Sequence, residues 1–118
     1  MIFKQIIKEK EGCTSYLIGS EKSKTCIIVD PTENIKDFVD IAKKNNVRIA
    51  GIIETHTHAD HLSGAKELSE RIGADIHMYE SAKPLFRVQK LKEGQHIKFG
   101  DVEIEILLNT RTSAKIKV

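Results

Sequence analysis

Three of the five histidines in this chain, His56, His58 and His61, fall within six residues, and Asp60 stands among them. In extended backbone, residues two apart point the same way, so the imidazoles of His56 and His58 can reach one ion. Asp60 and His61 follow where the chain turns toward a helix, and they can face the same cavity from a second side. Imidazole and carboxylate ligands suit zinc, iron or manganese rather than calcium. Four such ligands could also serve two adjacent ions bridged by a water, which becomes a nucleophile near neutral pH.

A polar turn that is merely rich in histidine is the alternative interpretation. Three histidines and an aspartate directly after an apolar strand favour the metal site over this alternative. His77 and His96 lie in predicted strands without such surroundings, so we expect packed or surface positions for them. Cys13 and Cys26 also lie in strand contexts, where buried and inert thiols are expected.

The elements that position this segment follow from the apolar pattern around it. Thr25 to Val29 and Val47 to Ile53 are apolar runs typical of buried strands, and Asp30-Pro31 more often ends a strand than binds a ligand. Between them, helical spacing is seen at Ile35, Phe38, Val39 and Ala42. This order predicts a parallel crossover. The histidines then follow the second strand at the edge where ligands bind in α/β sheets.

The remaining pattern completes a mixed α/β chain. Strands are predicted at Ile2 to Ile7, Thr14 to Ile18 and Asp75 to Tyr79, a helix at Leu62 to Ile72, and a hairpin from His96 to Leu108. Irregular structure is expected over Ser81 to Gly94, and the last ten residues carry little pattern.

The composition suits one domain, with 118 residues, 40% of them hydrophobic and 31% charged. The 19 basic and 17 acidic residues nearly balance, which argues against nucleic acid or a membrane surface as the main partner. No apolar run approaches the roughly 20 residues of a membrane helix. The N-terminus lacks a secretory signal and there are two cysteines, so we expect a cytoplasmic protein.

The segment from His56 to His61 matches the H-x-H-x-D-H signature of the metallo-β-lactamase superfamily. Residues 12–19, 29–31, 52–56 and 61–65 resemble its persulfide dioxygenase branch, close to hydroxyacylglutathione hydrolase (glyoxalase II). The resemblance runs from about residue 3 to about residue 110. It implies the N-terminal half of an αββα sandwich, with a mixed sheet and helices on one face. Residues 1–118 would then be a single truncated domain, with an atypical tail over 111–118.

The resemblance also implies roles for the four residues. In the family's hydrolases, His56 and His58 would ligate a first Zn(II), and Asp60 and His61 a second. In persulfide dioxygenases, one Fe(II) would be held by His56 with a later His and Asp, while the other three residues orient the site. We expect Asp60 to be catalytic as well as a metal ligand. The implied substrate is a small glutathione-linked thiol compound.

The sequence departs from the family after the last predicted strand. There the family shows Thr-Pro-Gly-His-Thr, whose His binds metal, whereas this chain reads Thr110-Arg111-Thr112-Ser113 and reaches Val118 without the later Asp. We therefore expect a metal-binding protein that is incomplete as a catalyst. The alternatives are an active glyoxalase II-like hydrolase and a catalytically silent remnant. We also expect exposed apolar residues on the inner sheet, which a homodimer or a complementing C-terminal half would cover.

Overall fold

The computed structural model describes residues 2–8, 13–31, 34–54, 65–79, 89–92, 94–99, 102–108 and 114–117. Within these residues the chain forms two helices and two sheets. In chain order the elements are β1 (Ile2–Lys8), β2 (Cys13–Ser20), β3 (Thr25–Val29), α1 (Ile35–Lys44), β4 (Arg48–Glu54), α2 (Ala65–Ile72), β5 (Asp75–Tyr79), β6 (Gln89–Leu91), β7 (His96–Phe99), β8 (Val102–Leu108) and β9 (Ala114–Lys117).

The larger sheet contains β1 to β6 in chain order, so that each strand pairs with its neighbours in sequence. β1, β2 and β3 are antiparallel, whereas β3, β4, β5 and β6 run parallel. The connection from β3 to β4 contains α1, and the connection from β4 to β5 contains α2. The predicted mixed sheet with a parallel crossover is therefore confirmed.

Both helices cover one face of this sheet. Phe38 and Ala42 of α1 and Leu68 of α2 share a single buried cluster with Ile28 and Ile52 of the central strands. The helical spacing of apolar residues in α1 produces this contact, because it places Phe38 and Ala42 on one side. The predicted layer of helices on one face is confirmed.

The helix ends are determined by local sequence. The side-chain amide of Asn45 donates a hydrogen bond to the carbonyl of Ile41 over 2.8 Å at the end of α1. Asn46 then adopts a φ of +59°, and Gly73 adopts +75° after α2. This left-handed conformation ends helices and is tolerated by glycine and asparagine, so Asn46 and Gly73 end the two helices.

The smaller sheet, β7-β8-β9, is antiparallel and lies on the face opposite the helices. Ile104 of β8 is fully buried in a second cluster, whose members from the larger sheet are Ile18, Ile27, Val29 and Ile53. The expectation that the inner face would expose its apolar residues is wrong for these four positions, which are at most 4% exposed. The smaller sheet covers them within the same chain.

Two strands differ from the sequence-based prediction. Gln89–Leu91 forms β6, where irregular structure was expected, and Ala114–Lys117 forms β9 within the tail that carried little pattern. Each strand is short, and among the described strands each pairs with one neighbour, β6 with β5 and β9 with β8. Their hydrogen bonds are tertiary, so a local apolar pattern is not required to form them. The hairpin of β7 and β8 is confirmed.

Neither helix in the described part of the chain is long and apolar enough to cross a membrane. Helix α1 spans ten residues and α2 spans eight.

Candidate metal centre

The four predicted metal ligands, His56, His58, Asp60 and His61, lie outside the described residues, and their roles stay predictions. The structure describes the strand that directly precedes their segment. β4 ends at Glu54, so His56 follows two residues later.

β4 lies between two parallel strands. Ile53 is the register partner of Val29 in β3 and of His77 in β5, and Glu54 is the partner of Met78. The carboxyl ends of the three strands therefore meet at one edge of the sheet. Ligand sites in α/β sheets form beyond this edge, because the chain leaves the ladder there and side chains from neighbouring loops converge.

Asp30 ties the end of β3 to the end of β4. Its backbone N–H donates a hydrogen bond to the carbonyl of Ile53 over 2.8 Å, and its own carbonyl accepts one from the Ser15 hydroxyl over 2.5 Å. The φ of Asp30 is +53°, a left-handed conformation that aspartate adopts more readily than most other side chains. The chain thus turns sharply after Val29, which confirms that Asp30 ends a strand.

Glu54 is a buried acidic residue that the sequence analysis did not single out. Its side chain is 3% exposed, its Oε2 atom is shielded from solvent, and it takes part in a polar or electrostatic interaction. The sequence carries a signal that could have identified Glu54, because this carboxylate directly follows the apolar run of β4. Polar residues at that position are rarely buried without a polar partner.

His77 is half-buried in the middle of β5. Ile76 and Met78, on either side of it, belong to the helix-side cluster, so His77 faces the side of the smaller sheet. Burial lowers the pKa of His77 below its usual 6.5, and the nearby Asp75 carboxylate opposes this shift. The expectation of a packed or surface histidine is confirmed.

His96 lies on the surface of the smaller sheet and also confirms that expectation. Its Nδ1 is 3.3 Å from Oε1 of Glu103, and its Nε2 is 3.4 Å from Oε2 of Glu105. Both glutamates belong to β8, so this histidine links the two strands of the hairpin. Among the residues that the structure describes, no group of three or more His, Cys, Asp or Glu side chains is placed to hold a metal ion.

Cys26 is a free thiol in β3 and is 1% exposed. Burial raises the pKa of its thiol to about 12. The thiolate is the reactive form of cysteine, so this residue is inert at neutral pH, as expected. The side chain of Cys13 lies outside the described residues.

Comparison with known proteins identifies relatives of this chain. A model of the metallo-beta-lactamase superfamily matches residues 9–110. The hydroxyacylglutathione hydrolase of Pelagibacter ubique (strain HTCC1062) is 34% identical over 79 residues, which cover 67% of this chain and 33% of that protein. The mitochondrial persulfide dioxygenase ETHE1 of Bos taurus is 23% identical over 106 residues, covering 89% of this chain and 42% of that protein.

Solved structures share the same fold. ETHE1 from Myxococcus xanthus superposes with a TM-score of 0.86 at 24% identity, covering 97% of this chain and 52% of that one. A metallo-beta-lactamase from Staphylococcus aureus subsp. aureus COL also gives 0.86 at 24% identity, covering 97% of this chain and 37% of that one. The chain thus spans between a third and about half of the length of these relatives.

Proposed function

Because this chain belongs to the metallo-β-lactamase superfamily, we propose that it is a metal-binding domain related to the glutathione persulfide dioxygenases and thioester hydrolases. One observation carries the proposal. β4 ends between two parallel strands, and the hydrogen bond from Asp30 to Ile53 holds that end. The segment from His56 to His61 therefore starts at the sheet edge where a ligand site is expected.

The donor set of this segment fits a divalent first-row metal. Three imidazoles and one carboxylate suit Zn(II) or Fe(II), which favour nitrogen and oxygen ligands of this kind. In a zinc hydrolase, His56 and His58 would hold one ion, and Asp60 and His61 would hold a second. In an Fe(II) enzyme, His56 would be the metal ligand, and the other three residues would orient the site. Such an ion, when bound, lowers the pKa of water and polarises the substrate. Asp60 is the proposed catalytic residue, since its carboxylate can accept a hydrogen bond from the attacking water.

We further propose that residues 1–118 form one domain whose metal site is incomplete without ligands from elsewhere. Residues 110–113 read Thr-Arg-Thr-Ser, where the relatives' pattern would place a histidine. The histidines outside the motif lie in strands with other contacts, as the pairing of His96 with Glu103 and Glu105 illustrates. A complementing polypeptide or a second copy would supply the missing ligands, and a small glutathione-linked thiol compound would be the substrate. The free thiol of Cys26 supports a cytoplasmic location.

An active zinc-dependent thioester hydrolase is the second candidate. It is favoured by the 34% identity with a protein named hydroxyacylglutathione hydrolase. The two candidates differ in metal and in reaction. Iron content with O2-dependent persulfide oxidation indicates the dioxygenase, whereas zinc-dependent cleavage of a glutathione thioester indicates the hydrolase.

The test measures metal content and both reactions on the purified full chain after loading with Zn(II), or with Fe(II) without oxygen. We expect weak, substoichiometric binding and little turnover, and we expect a His56→Ala/His58→Ala variant to lose that binding. His96→Ala is the control and should bind like the wild type. Tight, stoichiometric metal binding together with turnover would overturn the proposal that the site is incomplete, but would agree with the chemistry of the family. Wild-type binding no better than that of the double variant would overturn the metal site itself.

A further inference from the structure

Exposed cationic side chains gather where β3 and β4 begin. The turn before β3 contributes two, the last turn of α1 contributes two, and the first residue of β4 contributes one: Lys22, Lys24, Lys43, Lys44 and Arg48. We call these five residues the basic edge, and we propose that it is a docking surface for an acidic segment of a partner polypeptide. It lies at the opposite end of β4 from the histidine segment, so the proposal is independent of the metal-binding function.

Backbone contacts at the start of β4 bring the three segments together. The N–H of Arg48 donates a hydrogen bond to the carbonyl of Lys24 over 2.9 Å, and Arg48 is the register partner of Thr25 in the parallel ladder. The N–H of Val47 donates to the carbonyl of Ala42 over 3.0 Å, so the last turn of α1 is joined directly to the start of β4. The turn, the helix end and the strand therefore present their cations at one edge of the fold.

The turn that carries Lys22 and Lys24 is held by its own hydrogen bonds. The hydroxyl oxygen of the buried Ser20 accepts hydrogen bonds from the N–H groups of Lys22 and Ser23 over 3.2 and 3.3 Å. The Ser23 hydroxyl lies 2.8 Å from that of Thr25. Because the backbone of the turn is already fixed, binding orders mainly the lysine side chains, which lowers the entropic cost of association.

The positive charge of the basic edge is not neutralised by ion pairs. None of its five side chains forms an ion pair with another residue that the structure describes. Glu21 is the acidic residue of the turn, and the exposed Asp40 lies one turn earlier in α1. The whole chain carries a net charge of +2, so positive charge is concentrated at this edge. Like charges on one surface repel each other, and an anionic partner offsets that repulsion.

The dipole of α1 accounts for only part of this pattern. Lys43 and Lys44, in the last turn, stabilise the helix through the negative end of its dipole. Lys22 and Lys24 lie in a turn and Arg48 lies in a strand, where a helix does not require a basic residue. Helix stability thus leaves three of the five cations unexplained, whereas an intermolecular role accounts for all five together.

The chemistry of the basic edge fits a run of Asp and Glu side chains. Lysine and arginine bind carboxylates through charge-assisted hydrogen bonds, and arginine can form two in parallel. Residues 21–24 and 43–48 contain no aromatic side chain on which a nucleic-acid base could stack, and a net charge of +2 is low for a nucleic-acid-binding protein. Their one apolar residue, Val47, is buried, so these segments offer no apolar side chain to a membrane interface. These features favour an acidic polypeptide over the other polyanions.

The test measures binding of a fluorescein-labelled poly-glutamate peptide to the full chain by fluorescence anisotropy, with EDTA present so that no metal ion bridges the two. We expect binding that weakens as the salt concentration rises, since salt screens exposed charges. Lys24→Glu/Arg48→Glu should weaken binding by about tenfold or more. Lys36→Glu/Lys66→Glu is the matched control, because it makes the same change in net charge at exposed lysines in the first turns of α1 and α2. It should weaken binding by no more than about twofold.

Three outcomes would overturn the proposal. The first is an absence of salt-sensitive peptide binding by the wild type. The second is an equal loss in the two double variants, since net charge alone would then explain the attraction. A single-stranded DNA oligonucleotide and vesicles containing phosphatidylserine are titrated in parallel, and tighter binding of either one than of the peptide is the third.

A second measurement keeps the test decisive if Lys24→Glu/Arg48→Glu does not fold, as judged by its circular dichroism. The backbone amide resonances of the wild type are then followed by NMR during addition of the peptide. Shifts centred on residues 22–24 and 43–48 support docking at the basic edge, whereas shifts centred elsewhere overturn it.

Discussion

The backbone N–H of Asp30 donates a hydrogen bond to the carbonyl of Ile53 across 2.8 Å, although the two residues are far apart in sequence. It continues the parallel ladder of β3 and β4 by one step beyond Val29, at the point where β3 ends. The Ser15 hydroxyl donates a hydrogen bond to the carbonyl of Asp30, which belongs to the next peptide group along the chain. The edge from which the histidine segment leaves is therefore fixed by three strands rather than by β4 alone.

Ser15→Ala should weaken this edge. Ser15 is fully buried, so its loss leaves the carbonyl of Asp30 without a hydrogen bond that solvent cannot easily replace. We expect the free energy of unfolding to fall by about 1–3 kcal/mol, measured by urea titration. Ser23→Ala is the control, since its hydroxyl lies 2.8 Å from that of Thr25 in a half-exposed position. Equal losses in the two variants would contradict the special role of Ser15.

Gly19→Ala should destabilise the pairing of β2 with β3. A Cβ at position 19 would lie 2.8 Å from Cβ of Cys26 and 2.9 Å from the carbonyl oxygen of Thr25, which is too close for either contact. We expect a loss of about 1–3 kcal/mol in the free energy of unfolding. A double-mutant cycle with Cys26→Gly isolates the contact with Cys26, because it removes the opposing Cβ and leaves the carbonyl oxygen of Thr25 in place. Simple additivity of the two substitutions would show that the contact with Cys26 is not the cause.

His77 should make the stability of the fold depend on pH. Its pKa is lowered in the folded state from 6.5, so the unfolded chain binds a proton more readily. Stability from this group is therefore complete above pH 6.5 and declines as the pH falls from there toward the lower folded value. Urea midpoints at about pH 8 and about pH 5 measure the decline. His77→Gln should flatten this decline, and the exposed His96→Gln variant is the control. An identical decline in His77→Gln would refute the assignment.

Cys26 should resist modification until the chain unfolds. Its pKa of about 12 leaves almost no thiolate at neutral pH, and the side chain is buried. In a Cys13→Ser background, the rate of reaction with a disulfide reagent should be low in buffer and should rise by orders of magnitude in denaturing urea. Rapid labelling of the native Cys13→Ser chain, with its circular dichroism unchanged, would show that Cys26 is accessible.

Strands β3 and β5, helix α1, the last residue of α2 and the hairpin of β7 and β8 could be predicted because their signals are local. An apolar run, the spacing of Phe38 and Ala42, and a turn residue such as Gly73 each act within a few positions. β6 and β9 could not be predicted, because each is held by hydrogen bonds to one strand that only the tertiary fold brings alongside.

For the candidate site, the sequence by itself predicts the chemistry. The types and spacing of His56, His58, Asp60 and His61 predict a metal-ligand set, since the donor atoms of a side chain depend only on its residue type. The tertiary structure decided the setting: β4 ends between two parallel strands, Asp30 is tied to Ile53, and Glu54 is buried. Register and burial arise from contacts between segments distant in sequence, which a local pattern of residue types does not encode.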